Sequence, residues 1–229
     1  MDNKPSLLAQ VQALIEGLYR QKTGVNFEHF LIGRRQFVEL SEAAEYADDL
    51  ADTARVFLRV AGDQLRIALY YADSLIRRLE KHDPRRGLNE RNITEFAIFI
   101  EEINHAVHAA WKFLEGQREI GRESFLAELE LIARVDVYFL LKYFLAMLNP
   151  AGKAEKMDKL WLRHHVFERM TFDYASETIA GRYRTSAVLG QRFARFVESL
   201  PQAERGEELA RFRMLDFPSK QQYIACLPV

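Results

Sequence analysis

The chain has 229 residues, 48% of them hydrophobic, which is enough to bury one sizeable core, and its 32 basic and 33 acidic residues leave a formal net charge of −1. That balance excludes a global electrostatic pull toward nucleic acid, anionic membrane or acidic substrates. The one cysteine, Cys226, excludes an intrachain disulfide framework and a cysteine-rich zinc site, and it fits a reducing cytoplasm.

The opening Met1-Asp2-Asn3-Lys4-Pro5 runs into an amphipathic segment containing Gln10, Gln12 and Glu16, so it lacks the apolar core of a secretion signal. Only 11 glycines and 6 prolines punctuate the chain. Apolar residues recur at intervals of three and four, so the expected fold class is all-α, a compact multi-helix bundle in which residues 1–229 form a single helical domain. Helices are expected at roughly 6–21, 27–40, 42–61, 63–82, 92–115, 124–148, 154–180, 184–199 and 202–213, with a short turn or helix after Pro218. No strand pattern competes with them.

Ser41 with Glu42 and Glu45, and the Asn92-x-x-Glu95 spacing, mark two helix starts. Asp83-Pro84-Arg85-Arg86-Gly87 and Asn149-Pro150-Ala151-Gly152 predict short turns between neighbouring helices. The longest apolar run, Val135 to Leu148, is cut by Asp136 and Lys142 and is too short for a bilayer, so no membrane span is expected. The basic segments Arg77 to Arg86 and Arg34-Arg35 read as solvated helix ends. They lack the aromatic interleaving of a single-strand platform, and no nucleic-acid partner is expected.

Three helices place ionisable side chains where helical geometry puts the core. On the helix from 92, Glu101, Asn104 and His108 flank the stripe of Ile93, Phe96, Ile100, Ile103, Val107 and Trp111. Glu102-x-x-His105 has the spacing of a ferritin-type di-iron motif, but its residues project away from the stripe, which favours Glu101 and His108. On the next helix Asp136 projects inward among Leu129, Ile132, Val135, Phe139 and Leu140. A buried carboxylate needs compensation, either by a shared polar site or by an ordinary ion pair, for example to an Arg on another helix. In the segment from Leu160, His164 and Glu168 stack four residues apart, with His165 toward the flank. Asp136, His164 and Glu168 are therefore expected to meet in one inter-helix cavity with Glu101 and His108, a carboxylate and imidazole set that suits iron or manganese.

Glu101-x6-His108, then Asp136, then His164-x3-Glu168 resembles, in that order, the haem-oxygenase-like di-iron oxidases. The similarity spans roughly residues 92–175. It implies a helical bundle that activates dioxygen at iron on a small organic substrate, with Glu101, His108, Asp136, His164 and Glu168 as metal ligands. The last position of that pattern, a His, is Thr171 here, a poor iron ligand, which leaves the two-metal set one ligand short. No P-loop, dinucleotide fingerprint, Cys-His dyad or nucleophile elbow occurs in a supporting context. Two functions follow: a non-haem iron oxidase or oxygenase acting on a small molecule, or a non-catalytic helical scaffold or regulatory binding protein in which the same residues form a buried polar network.

Overall fold

The computed structural model describes residues 5–43, 52–169, 174 and 176–228. Helices dominate these residues: α1 (Leu7–Leu18), α2 (Arg34–Glu42), α3 (Asp73–Lys81), α4 (Ile93–Leu114), α5 (Glu123–Leu148), α6 (Lys156–Arg163), α7 (Glu177–Ser199), α8 (Gln202–Met214) and α9 (Phe217–Ala225). The expected mostly helical, multi-helix architecture is what the chain adopts. Among the described residues no helix is long and apolar enough to cross a membrane.

One part of the chain departs from that expectation. Where helices 42–61 and 63–82 are expected, β1 (Ala54–Ala61) and β2 (Gln64–Tyr71) pair antiparallel in full register from Ala54↔Tyr71 to Ala61↔Gln64. The helix survives only as α3, and residues 44–51 of the first expected helix, with Glu45 among them, lie outside the described residues. The physical reason lies in β-branched and aromatic content with apolar residues recurring at every second position, Val56, Leu58 and Val60 on one strand and Leu65, Ile67, Leu69 and Tyr71 on the next. Between them the two-residue loop Gly62-Asp63 reverses the chain, with Gly62 at φ 59°, where a side chain would be strained. Leu69 bridges to Leu31, and the Tyr71 hydroxyl donates to the Phe99 carbonyl at 2.9 Å, which ties the hairpin to α4.

Two helix starts are also built differently. Ser41 sits in the last turn of α2 and accepts a hydrogen bond from Arg55 Nη1 at 3.0 Å. Asn92 does precede α4, but its side chain caps the preceding turn instead, donating to the carbonyls of His82 at 2.9 Å and Gly87 at 2.8 Å. The expected helix 154–180 is shorter. After α6 the chain passes into a π-turn over His164–Glu168, closed by the Arg169 N–H on the His164 carbonyl at 2.8 Å. Residues 170–173 and 175, with Thr171 among them, lie outside the described residues, and α7 begins at Glu177.

The core lies around α4 and α5. Helix α5 is buried on every side from Glu128 to Tyr138, and α1, α4, α6, α7 and α9 all touch it. Trp111, Phe96, Tyr138, Phe144, Phe193 and Phe212 are fully buried. Burial of each such ring contributes on the order of 2 kcal/mol. Partners on α4 and α5 run in opposite directions, Asn104 with Asp136 and His108 with Glu128, so the two helices are antiparallel. At Gly190 α7 comes close to α5, and an added Cβ would meet Arg134 Cγ and Phe167 Cε1, each at 3.3 Å.

Candidate metal centre

The antiparallel α4 and α5 bring three acidic residues and one imidazole together. Glu101, Glu102 and His105 come from one face of α4, and Glu130 comes from α5 with Arg134 one turn on. Glu101, His105 and Glu130 each offer a ligand atom, and these atoms lie within 4.8 Å of one another. His105 Nδ1 is 3.9 Å from Glu102 and its Nε2 is 3.7 Å from Glu130 Oε2. Arg134 Nη2 lies 3.5 Å from Glu101 Oε1 and holds that carboxylate from behind.

The 3.7 Å between His105 and Glu130 is too long for a hydrogen bond. His105 Nε2 and Glu130 Oε2 are both buried, and neither has a hydrogen-bond partner. Buried polar atoms are rarely left this way, because each costs about 1–3 kcal/mol of lost hydration. A metal ion about 2.1 Å from each atom would span their separation at an angle of roughly 120°. The electrostatics fit a cation as well. Burial alone would push the His105 imidazolium down, but the carboxylates of Glu130, Glu102 and Glu101 outweigh it and raise its pKa to about 9. Burial and the neighbouring Glu101 and Glu102 hold the Glu130 carboxyl up, against the pull of His105 and Arg134. Protons thus gather where positive charge is wanted.

His105 and Glu130 open onto a cavity of about 520 Å³ between the hairpin, α5 and α7, which Arg55, Glu102, Arg182 and Tyr183 also line. Glu101 and Arg134 face a second cavity of about 340 Å³, with His165 and Arg169 on its walls. The cluster therefore separates two cavities.

The structure does not bring the five expected ligands into one centre. Glu101 joins the cluster, but His108, Asp136, His164 and Glu168 do not. Asp136 is fully buried and accepts hydrogen bonds from the Tyr19 hydroxyl and from Asn104 Nδ2, with Arg213 Nη1 of α8 at 3.9 Å. This matches the alternative of an Arg from another helix. Burial pushes the Asp136 carboxyl up to about 6 against the pull of Arg213 and those two donors. The Arg213 guanidinium lies over the rings of Trp111 at 3.7 Å and Tyr19 at 4.0 Å.

His108 turns to a different partner, Glu128 Oε1 at 3.2 Å, which also accepts from the buried Lys220 Nζ at 2.9 Å. Because an ionised carboxylate only accepts, the neutral imidazole carries its proton on Nε2. Burial, then Arg213, push the His108 pKa down to about 3 in spite of Glu128. Burial would raise Glu128, yet His108 and Lys220 hold it at about 2.

His164 and Glu168 are solvent-facing, at 56% and 50% side-chain exposure, and pair with each other at 3.7 Å. The reason is the phase of α6, in which Leu162 is buried and Leu160 is exposed: at 100° per residue His164 projects about 200° away from Leu162, and through the π-turn Val166 and Phe167 take the inward positions. His165, expected on the flank, has a buried side chain and approaches Glu90 Oε1 at 3.0 Å.

The expectation that Glu102 and His105 turn away from the site is likewise corrected. His105 is buried at 6% exposure because both flanks of α4 are covered, one by α5 and the other by the hairpin. The sequence did carry a signal, the Glu102-x-x-His105 spacing. Glu128, Glu130 and Arg134 were missed, although charges on a helix with no polar face must lie inside. Comparison with protein-family models, curated proteins and solved structures finds no match for the chain.

Proposed function

We propose that this chain is a metal-dependent enzyme whose centre is formed by Glu101, His105 and Glu130, and whose small organic substrate occupies the adjoining cavity. The observation that carries this reading is the buried His105 Nε2 facing the buried Glu130 Oε2 at 3.7 Å, both without hydrogen-bond partners. Two carboxylates and one imidazole form a hard, oxygen-rich donor set that suits iron or manganese. Three protein ligands leave coordination positions open toward the cavity, as catalytic rather than structural centres do. Iron held there would supply electron exchange with dioxygen, so the narrower form of the proposal is a non-haem iron oxidase or oxygenase. In it, Arg134 orients Glu101, Glu102 orients His105 through Nδ1, and the hairpin shields the centre from bulk water.

Anaerobic titration of metal-free protein with Fe(II), and separately with Mn(II), tests the centre. One equivalent is expected to bind, His105→Ala and Glu130→Gln should each weaken binding more than tenfold, and His164→Ala should leave it unchanged. Dioxygen uptake by the iron-loaded protein then tests the narrower form. Failure of either ion to bind, or parent-like affinity in His105→Ala, would reject the centre.

A second reading, a scaffold with a buried polar network, is favoured by the way Tyr19 and Asn104 donate to Asp136, with the Arg213 charge 3.9 Å away, without help from outside the chain. On that reading the His105 cluster is held together by its protons alone, and the titration finds no stoichiometric metal.

A further inference from the structure

Arg55, on β1, has a guanidinium that the rest of the fold leaves underused. The residue is 7% exposed and lines the same cavity as His105 and Glu130. Its Nη1 donates to Ser41 Oγ at 3.0 Å and its Cζ lies 5.1 Å from the Phe57 ring, but Nη2 is buried with no partner. Among the described residues no carboxylate lies within 4 Å of it, in contrast to Arg182 on the opposite wall, which pairs with Glu123 at 2.6 Å. Burial lowers the Arg55 pKa, with Glu102 and Asp52 opposing only from a distance. A buried cation with one arm of its donor fork unpartnered suits a carboxylate, because a hydrogen bond to Nη2, with the second N–H of Nη1 beside it, would satisfy the fork and return the charge compensation lost on burial.

The remaining walls define the rest of the ligand. Val56, Leu58, Leu126, Leu129 and Ile179 supply an apolar stretch beside Arg55. Glu102, Glu123 and Glu130 line the same cavity, so a doubly charged phosphate would be repelled, whereas a singly charged head opposite Arg55 is tolerated. A volume of about 520 Å³ accommodates a chain of several carbons.

We infer that the cavity binds a small apolar monocarboxylate, with its head on Arg55 and its tail along the leucine-rich wall toward His105. This names the substrate class of the site proposed above and rests on that reading, but head-group capture needs only Arg55 and so does not require the metal.

The test is calorimetric titration with sodium octanoate of the whole chain, metal-free in chelator and metal-loaded. Octanol and inorganic phosphate serve as comparison probes. Octanoate should bind in both states, octanol at least tenfold more weakly and phosphate not measurably. Arg55→Met should weaken octanoate at least tenfold, Arg55→Lys should weaken it by less, and His105→Ala should leave it unchanged in chelator. Thermal melts of each variant establish that the fold is intact, and if Arg55→Met does not fold, Arg55→Lys carries the comparison. Parent-like binding by both Arg55 variants overturns the inference, as do octanol binding equal to octanoate, preferential phosphate binding, and no octanoate binding at all. A chain that takes up metal but no octanoate would overturn the inference alone, and one that binds octanoate but takes up no metal in the Fe(II) and Mn(II) titrations would overturn the metal centre alone.

Discussion

His108 illustrates what burial does to a single ring. Its pKa in the fold is pushed to about 3, while in the unfolded chain it titrates near 6.5. Between those values the unfolded state takes up a proton that the folded state refuses, so this group's contribution is full above pH 6.5 and declines as pH falls toward 3. The slope approaches about 1.4 kcal/mol per pH unit. Asp136 acts in the opposite sense, since its folded value of about 6 exceeds the ordinary 3.8 and the folded state binds that proton more tightly. The His108 contribution is therefore isolated by comparison with His108→Gln. The melting temperature of the parent relative to the variant should rise from pH 4 to pH 7, and a pH-independent difference would show that His108 titrates normally. The inward direction of His108 and Asp136 was legible from the 100° spacing of α4 and α5, because both helices are regular there. Their partners were not legible. Lys220 lies 92 residues from Glu128, and no local pattern links the two.

At the scale of elements, packing sets limits that composition does not reveal. Gly190 leaves α7 room against Arg134 and Phe167, with contacts already at 3.3 Å for an added Cβ. Gly190→Ala gains about 1 kcal/mol of helix propensity and loses a comparable amount to crowding, so its stability should stay near that of the parent. Gly190→Leu should lower stability by about 1–3 kcal/mol in urea unfolding. It should also displace Arg134, whose guanidinium holds Glu101, and so weaken any metal binding; unchanged stability would show that the helices separate freely.

The helices α4 and α5 were readable because their apolar stripes are long. The hairpin was not read, because Val56, Val60 and Ile67 also fit spacings of three and four, and only the period-two alternation around Gly62-Asp63 separates strand from helix there. The outward turn of His164 follows from Leu162 being the buried residue of α6, but Leu160, Trp161 and Leu162 are adjacent apolar residues, and the sequence alone did not show which of them faces the core.

Across the whole molecule, two buried carboxylates on α5 are answered from the C-terminal helices. Arg213 approaches Asp136, and Lys220 donates to Glu128 and to the Arg213 carbonyl at 3.2 Å. Removing one member of such a pair leaves a charge in the core, so Arg213→Met should cost about 3–5 kcal/mol in urea unfolding. The double variant Asp136→Asn/Arg213→Met should be less destabilised than the two single variants summed, and strict additivity would show that the two charges do not compensate each other.

This arrangement has a bearing on how the chain is made. A ribosome releases Asp136 and Glu128 well before it releases Arg213 and Lys220. During that interval Asp136 lacks its cation and Glu128 has only Lys112, 3.7 Å away, in place of the buried Lys220, so the two carboxylates favour an open, hydrated ensemble over premature closure. Helices α8 and α9 emerge after α5, so chains stalled between α5 and α8 should remain loose enough for quality-control proteases to find.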